Sequence, residues 1–316
     1  MEQDVTRALR REEKITLALR ALYEQYGRPM LHEQFPELEG RVAVGLVGHG
    51  SECFGYDDQL SRDHDFAKGF CLWLTDEDDL RYGVALSRAY RALPLGQGGE
   101  RSALAEDNCG VRRTAFFYRR YTGGAPVPES REQWLQIPAW ALAEATNGEV
   151  FRDDLGEFTA IREILLHGMP EDVRKKHLAA RLIEMAQTGQ YNYPRCLQHG
   201  EEGAAALELG DFVRAAAGAI FLLERRHMPY TKWMFRAMGE LPKLGHLRTA
   251  LEFLLCGEND AALRQGVVED VCATVVRELR EQELSDGDWD YLEQHAFAVQ
   301  GRIQDRQLRA MHVMEG

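Results

Sequence analysis

Residues 41–66 read RVAVGLVGHGSECFGYDDQLSRDHDF, and the order of parts within this stretch decides the fold. The run 41–47 is short, apolar and β-branched, which predicts a strand. Gly48-His49-Gly50-Ser51 follows at once. A glycine pair after a strand lets the backbone approach a phosphate closely, because no Cβ intervenes. The Ser51 hydroxyl and neighbouring N–H groups can then bond a phosphate oxygen. Asp63-His64-Asp65-Phe66 leads into the apolar GFCLWLT (69–75), so 63–75 reads as one long or bent strand with a bulge at Gly69. Residues i and i+2 of a strand share a face, so Asp63 and Asp65 project together while His64 and Phe66 turn toward packing. Paired carboxylates repel unless a cation sits between them. Mg²⁺ suits that place, since it takes hard oxygen ligands and shares itself with substrate phosphates.

Other residues in the stretch have two readings each. Arg62 can neutralise phosphate charge or pair with Asp57 or Asp58 inside the loop. His49, set between two glycines, can reach the site or pack. Three other chemistries find no support. A dinucleotide fingerprint needs a third glycine where Cys53 stands, the lysine of a P-loop is absent, and no G-x-S-x-G elbow surrounds Ser51.

The pattern h-G-[GS] followed by [DE]-h-[DE]-h resembles the polymerase-β-like nucleotidyltransferase superfamily. The longer strings GSECFGYDDQLSRDHDF (50–66), AWALAEATNGEVFRDDLGEFTAIRE (139–163) and MAQTGQYNYPRC (185–196) resemble a bacterial, largely uncharacterised family of nucleotidyltransferase type, a domain-of-unknown-function family. The resemblance implies a small mixed sheet with helices that binds Mg²⁺ and a nucleoside triphosphate, followed by a helical domain. Gly50 and Ser51 then match the phosphate-binding pair, and Asp63 and Asp65 the metal-binding and catalytic carboxylates. A third carboxylate often lies on a later strand of that superfamily. The strand candidate 111–121 offers Val111, Arg112 and Arg113 instead, which leaves Asp107, Asp153 and Asp154 as candidates. Asp153-Asp154-Leu155-Gly156 also reads as an ordinary turn.

Outward from this centre, residues 4–26 read as an amphipathic helix stopped by Gly27, Arg28 and Pro29. Helices are expected over 75–93, with acids at the start as the helix dipole prefers, and over 131–148, with a short strand at 148–151. Residues 94–110 hold four glycines and read as a loop. From about 157 strand-like runs vanish, leaving helices near 157–167, 171–188, 202–227, 230–240, 244–256, 260–284 and 287–312. The expected class is therefore α+β: a nucleotidyltransferase-like domain over 1–156 with an N-terminal helix, then an all-helical domain over 157–316. In the helical half, Lys232 and Arg236 are four apart and share a face. Lys232 can reach the triphosphate across a cleft, or simply face solvent. Tyr191, Tyr193, Tyr230 and Trp233 can stack an acceptor or fill core and rim.

Composition narrows the partners. The 316 residues carry 51 acidic against 38 basic side chains, a net charge of −13. Nucleic-acid binders usually present a basic face, so this balance disfavours a general DNA or RNA role and suits a small-molecule acceptor. No run approaches the roughly 18 apolar residues of a membrane helix. The start MEQDVTRALRREEK lacks an apolar signal core, so a cytoplasmic location without membrane contact is expected. Six scattered cysteines without a C-x-x-C pair read as free thiols. The expected activity is Mg²⁺-dependent transfer of a nucleoside monophosphate from its triphosphate, ATP among the candidates, to a hydroxyl or amine acceptor. The rivals are an inactive nucleotide sensor or interaction module on the same fold, and a transferase that modifies tRNA or protein.

Overall fold

The apolar run after Arg41 forms strand β1, Ala43–Leu46, and the CLWL of the next run forms β2, Cys71–Leu74. Every residue of both is buried, the pattern of strands covered on two faces. They pair antiparallel with Gly45 opposite Cys71. Strand β3, Gly110–Arg113, joins β2 in parallel, and β4, Glu149–Arg152, joins β1 antiparallel, giving the order β3-β2-β1-β4. The computed structural model describes residues 15–57, 69–95, 109–257 and 260–316. Asp63, Asp65, Arg62 and Asp107 lie outside the described residues, so within the strand expected over 63–75 the described ladder is Cys71–Leu74.

Helices flank this sheet. Helix α1, Ile15–Leu22, does not stop at Gly27-Arg28-Pro29 as expected. It widens into a π turn, Tyr23–Gly27, closed by Arg28 N–H donating to the Tyr23 carbonyl, and runs on as α2, Arg28–Gln34. Pro29 falls in the first turn of α2, where a missing N–H costs no intrahelical bond. Helix α3, Asp76–Ala92, is capped by the Thr75 hydroxyl, which accepts from Asp78 N–H, and carries Asp76, Glu77, Asp78 and Asp79 in its first turn. Then come α4, Thr114–Thr122, then α5, Arg131–Gln136, which belongs to the second unit described below, then α6, Ala139–Thr146, and α7, Glu157–His167. Val44, Leu72 and Leu74 share one core with Tyr23, Leu31, Leu38, Leu86 and Tyr90. Trp73 stacks on Phe158 of α7 at 4.1 Å between ring centroids and meets Phe117 of α4 edge-on. The alternation along β2 thus sends Leu72 and Leu74 to one layer and Trp73 to the other.

The chain divides into two compact units: Met1–Glu129 with Ala141–Gly168, and Ser130–Trp140 with Met169–Gly316. The first holds the four-stranded mixed sheet and its helices. The second is helical throughout its described residues, so the protein is α+β with a helical C-terminal region. In the second unit α8, Glu171–Met185, passes through a π segment, Ala186–Asn192, into α9, Tyr193–Gln198. Helix α10, Glu202–Leu223, packs its alanine-rich face into the shared core. It is followed by α11, Thr231–Met238, α12, Leu247–Cys256, and α13, Ala261–Glu281. The single helix expected over 287–312 is instead two, α14, Leu292–Gly301, and α15, Arg306–Ala310. The Asp172 carboxylate accepts from the N–H groups of Gln304 (3.0 Å) and Asp305 (2.9 Å), and Asp305 in turn caps α15. A carboxylate from α8, invisible to local periodicity, breaks the helix there.

His177 of α8 gives this unit a pH dependence. Burial, then the Arg181 charge, pulls its pKa down to about 4, against a hydrogen bond with the Gly316 backbone. An unfolded histidine titrates near 6.5, so between about pH 6.5 and 4 the unfolded chain binds more protons and stability falls as pH falls. Discounted for partial exposure, the loss is about 2 kcal/mol by pH 4. Urea unfolding of wild type and His177→Gln at pH 7 and pH 4.5 measures it. The variant is expected to lose distinctly less on acidification, and equal losses would contradict the assignment.

Candidate functional site

Beyond Leu46 the chain enters the glycine turn. Gly48 and Gly50 have φ of +128° and +121°, values that side chains with a Cβ rarely adopt. The turn is closed further on by Phe54 N–H and Tyr56 N–H, which both donate to the Ser51 carbonyl at 3.2 and 2.9 Å. Its start is held from a distant part of the chain. The Asn147 side-chain amide donates to the Gly48 carbonyl (2.7 Å) and accepts from Gly48 N–H (2.9 Å), as a neighbouring strand would. Arg162 of α7 fixes that partner, donating to the carbonyls of Thr146 (2.6 Å) and Asn147 (3.4 Å) at the end of α6.

Charged groups surround the turn. His49 Nδ1 lies 2.9 Å from Oε1 of Glu144 on α6, whose side chain is only 4% exposed against 38% for His49. The hydrogen bond to Glu144 raises the His49 pKa, burial opposes it, and Arg120 and Glu52 add smaller opposite contributions. Glu52 is buried and folds its carboxylate back over Gly50, so that any Cβ at Gly50 would meet it. Burial also pushes the Cys53 thiol well up, and its Sγ contacts the His49 carbonyl at 3.4 Å. Gly50 and Ser51, the expected phosphate pair, therefore sit in a turn flanked by the carboxylates of Glu52 and Glu144 and by the imidazole of His49, with Ser51 itself buried.

The sheet sets where the next motif arrives. Because β1 and β2 are antiparallel with Gly45 opposite Cys71, the chain enters β2 at the end of the sheet where it leaves β1 for the glycine turn. Asp63 and Asp65 precede that entry and lie outside the described residues, as do Arg62 and Asp107. Among the described residues no group of three or more His, Cys, Asp or Glu side chains is set to hold a metal ion.

The other candidates have definite surroundings. Asp153 accepts from Gly156 N–H (3.1 Å) and Thr159 N–H (2.8 Å), which closes the turn into α7. Asp154 pairs with Arg152. Removal of the Asp153 cap in Asp153→Ala is expected to cost about 1 kcal/mol in denaturant unfolding. An unshifted midpoint would show that the turn does not need it. Lys232, in the second unit, lies 5.0 Å from the Trp233 ring centroid, and Arg236 lies 5.8 Å from the same ring, a cation–π arrangement on α11.

Residues 134–234 match a family described as a domain of unknown function, DUF4037. The DUF4037 segment spans about a third of the chain and includes Glu144, Asn147, Asp153, Asp154 and Lys232, while the glycine turn lies before it. No curated protein and no solved structure matches the chain. Two residues of the DUF4037 segment were not marked by sequence reasoning, Glu144 and Asn147. The signal for Glu144 was available: it is the one charged residue in the apolar string AWALAEA (139–145). Asn147 reads locally as a helix stop, and nothing local points to Gly48, 99 residues away. Among the described residues no helix is long and apolar enough to cross a membrane.

Proposed function

We propose that the protein is a Mg²⁺-dependent nucleotidyltransferase of polymerase-β-like type, moving a nucleoside monophosphate from its triphosphate to a hydroxyl or amine on a small molecule in the cytoplasm. One observation supports this above the others. The antiparallel pairing of β1 with β2 brings the glycine turn and the entry to β2 to one end of the sheet, and Asp65 stands four residues before Gly69. Four residues reach at most about 14 Å, which holds Asp65 within range of that end.

The electrostatics of the turn fit a cation. A triphosphate brought to Gly50 and Ser51 meets Glu52 and Glu144, so its charge needs compensation there. Asp63 and Asp65 would hold Mg²⁺, which when bound neutralises phosphate charge at the point of transfer. The chain's own part is placement. The backbone N–H groups of the turn and the Ser51 hydroxyl orient the phosphates, while Asn147 and Arg162 keep the turn rigid. The acceptor oxygen or nitrogen attacks the α-phosphorus, the bond to the bridging oxygen breaks, and pyrophosphate leaves.

The bonding of Asp153 and Asp154 favours a second reading, because two of the three expected sources of a third carboxylate have structural partners, while Asp107 lies outside the described residues. In that reading the protein binds a triphosphate and does not turn it over. Incubation with Mg²⁺ and each labelled triphosphate, across a panel of amine and hydroxyl acceptors, separates the two. Metal-dependent pyrophosphate release supports transfer. Stabilisation without release, about 2.7 kcal/mol at 100 times the dissociation constant, supports the sensor. Neither response to any triphosphate removes both.

A further inference from the structure

We propose that Asn147-Gly148 is a site of spontaneous deamidation, guarded by the clamp on Gly48, and that loss of the Asn147 side-chain amide releases the glycine turn. The inference rests on the fold alone and stands apart from the nucleotide reading.

The chemistry is that of a side-chain amide beside a glycine. The backbone nitrogen of Gly148 gives up its proton to solvent and attacks Cγ of Asn147. The bond from Cγ to Nδ2 breaks and ammonia leaves, which closes a five-membered succinimide. Water then opens that ring at one of its two carbonyls, leaving aspartate or isoaspartate at 147. Water enters and ammonia departs, with no oxidant or reductant involved. Asparagine is a thermolabile residue, and a following glycine obstructs the attack least, because it has no Cβ and the widest backbone freedom. Of the four asparagines in the chain, Asn147 is the one that precedes glycine; Asn108, Asn192 and Asn259 precede Cys109, Tyr193 and Asp260. Gly148 is exposed and Asn147 half-buried, so solvent reaches the pair.

The structure explains why so labile a pair stands here. Position 147 gives Gly48 one donor and one acceptor, at 2.7 and 2.9 Å, and asparagine is the side chain of that length that carries both. Position 148 adopts φ +66° with the Leu46 carbonyl oxygen where a Cβ would lie, which calls for glycine. The same contacts hold the pair unreacted. Ring closure needs Cγ to swing toward the Gly148 nitrogen, and that breaks both hydrogen bonds to Gly48. Arg162 donates to the carbonyls of Thr146 and Asn147 and so fixes the peptide on either side of Asn147. Reaction therefore waits for a local opening of the clamp. The products do not restore it. An aspartate carboxylate carries no donor for the Gly48 carbonyl. Isoaspartate adds a methylene to the main chain just ahead of the tight approach of Gly148 to Leu46.

The test follows the wild-type chain at mildly alkaline pH, folded in buffer and unfolded in guanidinium chloride, with peptide mass spectrometry that separates aspartate from isoaspartate. In the unfolded chain, conversion at Asn147 is expected to be at least about tenfold faster than at Asn192. Folding is expected to slow it at least about tenfold while keeping it ahead of Asn192 in the same sample. The deamidated protein, purified by anion exchange on its extra negative charge, is expected to show hydrogen–deuterium exchange at least about tenfold faster in the peptide that carries Gly48. Asn147→Asp is expected to show the same faster exchange without ageing. Conversion at Asn147 that does not exceed that at Asn192, in either state, overturns the site. Equal rates at Asn147 in the folded and unfolded chain overturn the guard, and unchanged exchange at Gly48 in the deamidated protein overturns the release.

Discussion

Asp63→Asn combined with Asp65→Asn is expected to lower Mg²⁺-dependent pyrophosphate release at least about a thousandfold, with no loss of thermal stability. The carboxamides keep the shape of the side chains and remove both charges. A neutral amide oxygen is a weak ligand for a hard divalent ion, so the phosphate charge stays uncompensated where the bond breaks. The fold should not suffer, because the proposed site sets two like charges side by side, and these would repel each other in the absence of the ion. Added Mg²⁺ is therefore expected to protect wild type against heat in the presence of triphosphate and to leave the double variant unaffected. Initial rates of pyrophosphate release and melting curves, measured side by side, check both halves. Activity within tenfold of wild type would remove the proposed chemistry whatever the melting curves show.

The second large effect is on stability. Gly148→Ala is expected to cost more than about 3 kcal/mol in urea unfolding. Gly148 has φ +66°, and a Cβ there would fall on the backbone carbonyl oxygen of Leu46 and press on Val47 Cα at 3.1 Å. Neither neighbour is the loose end of a side chain. Both belong to the backbone that runs from β1 into the glycine turn, so relief requires β4 to shift along β1. Gly156→Ala supplies the contrast, with φ +75° and nothing within 4 Å of a new Cβ. It should cost only the left-handed penalty of roughly 1–2 kcal/mol. Equal losses at the two positions would show that crowding against Leu46 is not what matters.

The parts of this fold that could be read in the sequence are those whose cause is local. AVGL and CLWL announce buried strands by continuous apolarity, and Thr75 followed by a run of acids announces the start of α3. The strand before Asp153 is marked by the Asn147-Gly148 stop and its β-branched and aromatic residues. What escaped reading has a distant cause. Pro29 looks like a stop, and a π turn just upstream makes it harmless. The break between α14 and α15 comes from Asp172, on another helix. At the site, Gly50 and Ser51 stood out by residue type alone. Glu144 and Asn147 did not, because their meaning lies in partners 95 and 99 residues earlier. Asp153 shows the opposite case: the turn reading of Asp-Asp-Leu-Gly was local, and its hydrogen bonds are those of such a turn.

The late arrival of β4 has a consequence for how the protein is made. A ribosome delivers β1 and the glycine turn early, yet the amide that clamps Gly48 and the strand that covers the other side of β1 emerge only after residue 147. The segment Ser130–Trp140, which belongs to the helical unit, is threaded out before the sheet can close. During translation the nascent chain therefore exposes an incomplete sheet edge for a long interval, the situation in which strands pair wrongly. Neither unit is one uninterrupted stretch of chain, so a nascent polypeptide must reach past residue 168 before its glycine turn can become rigid.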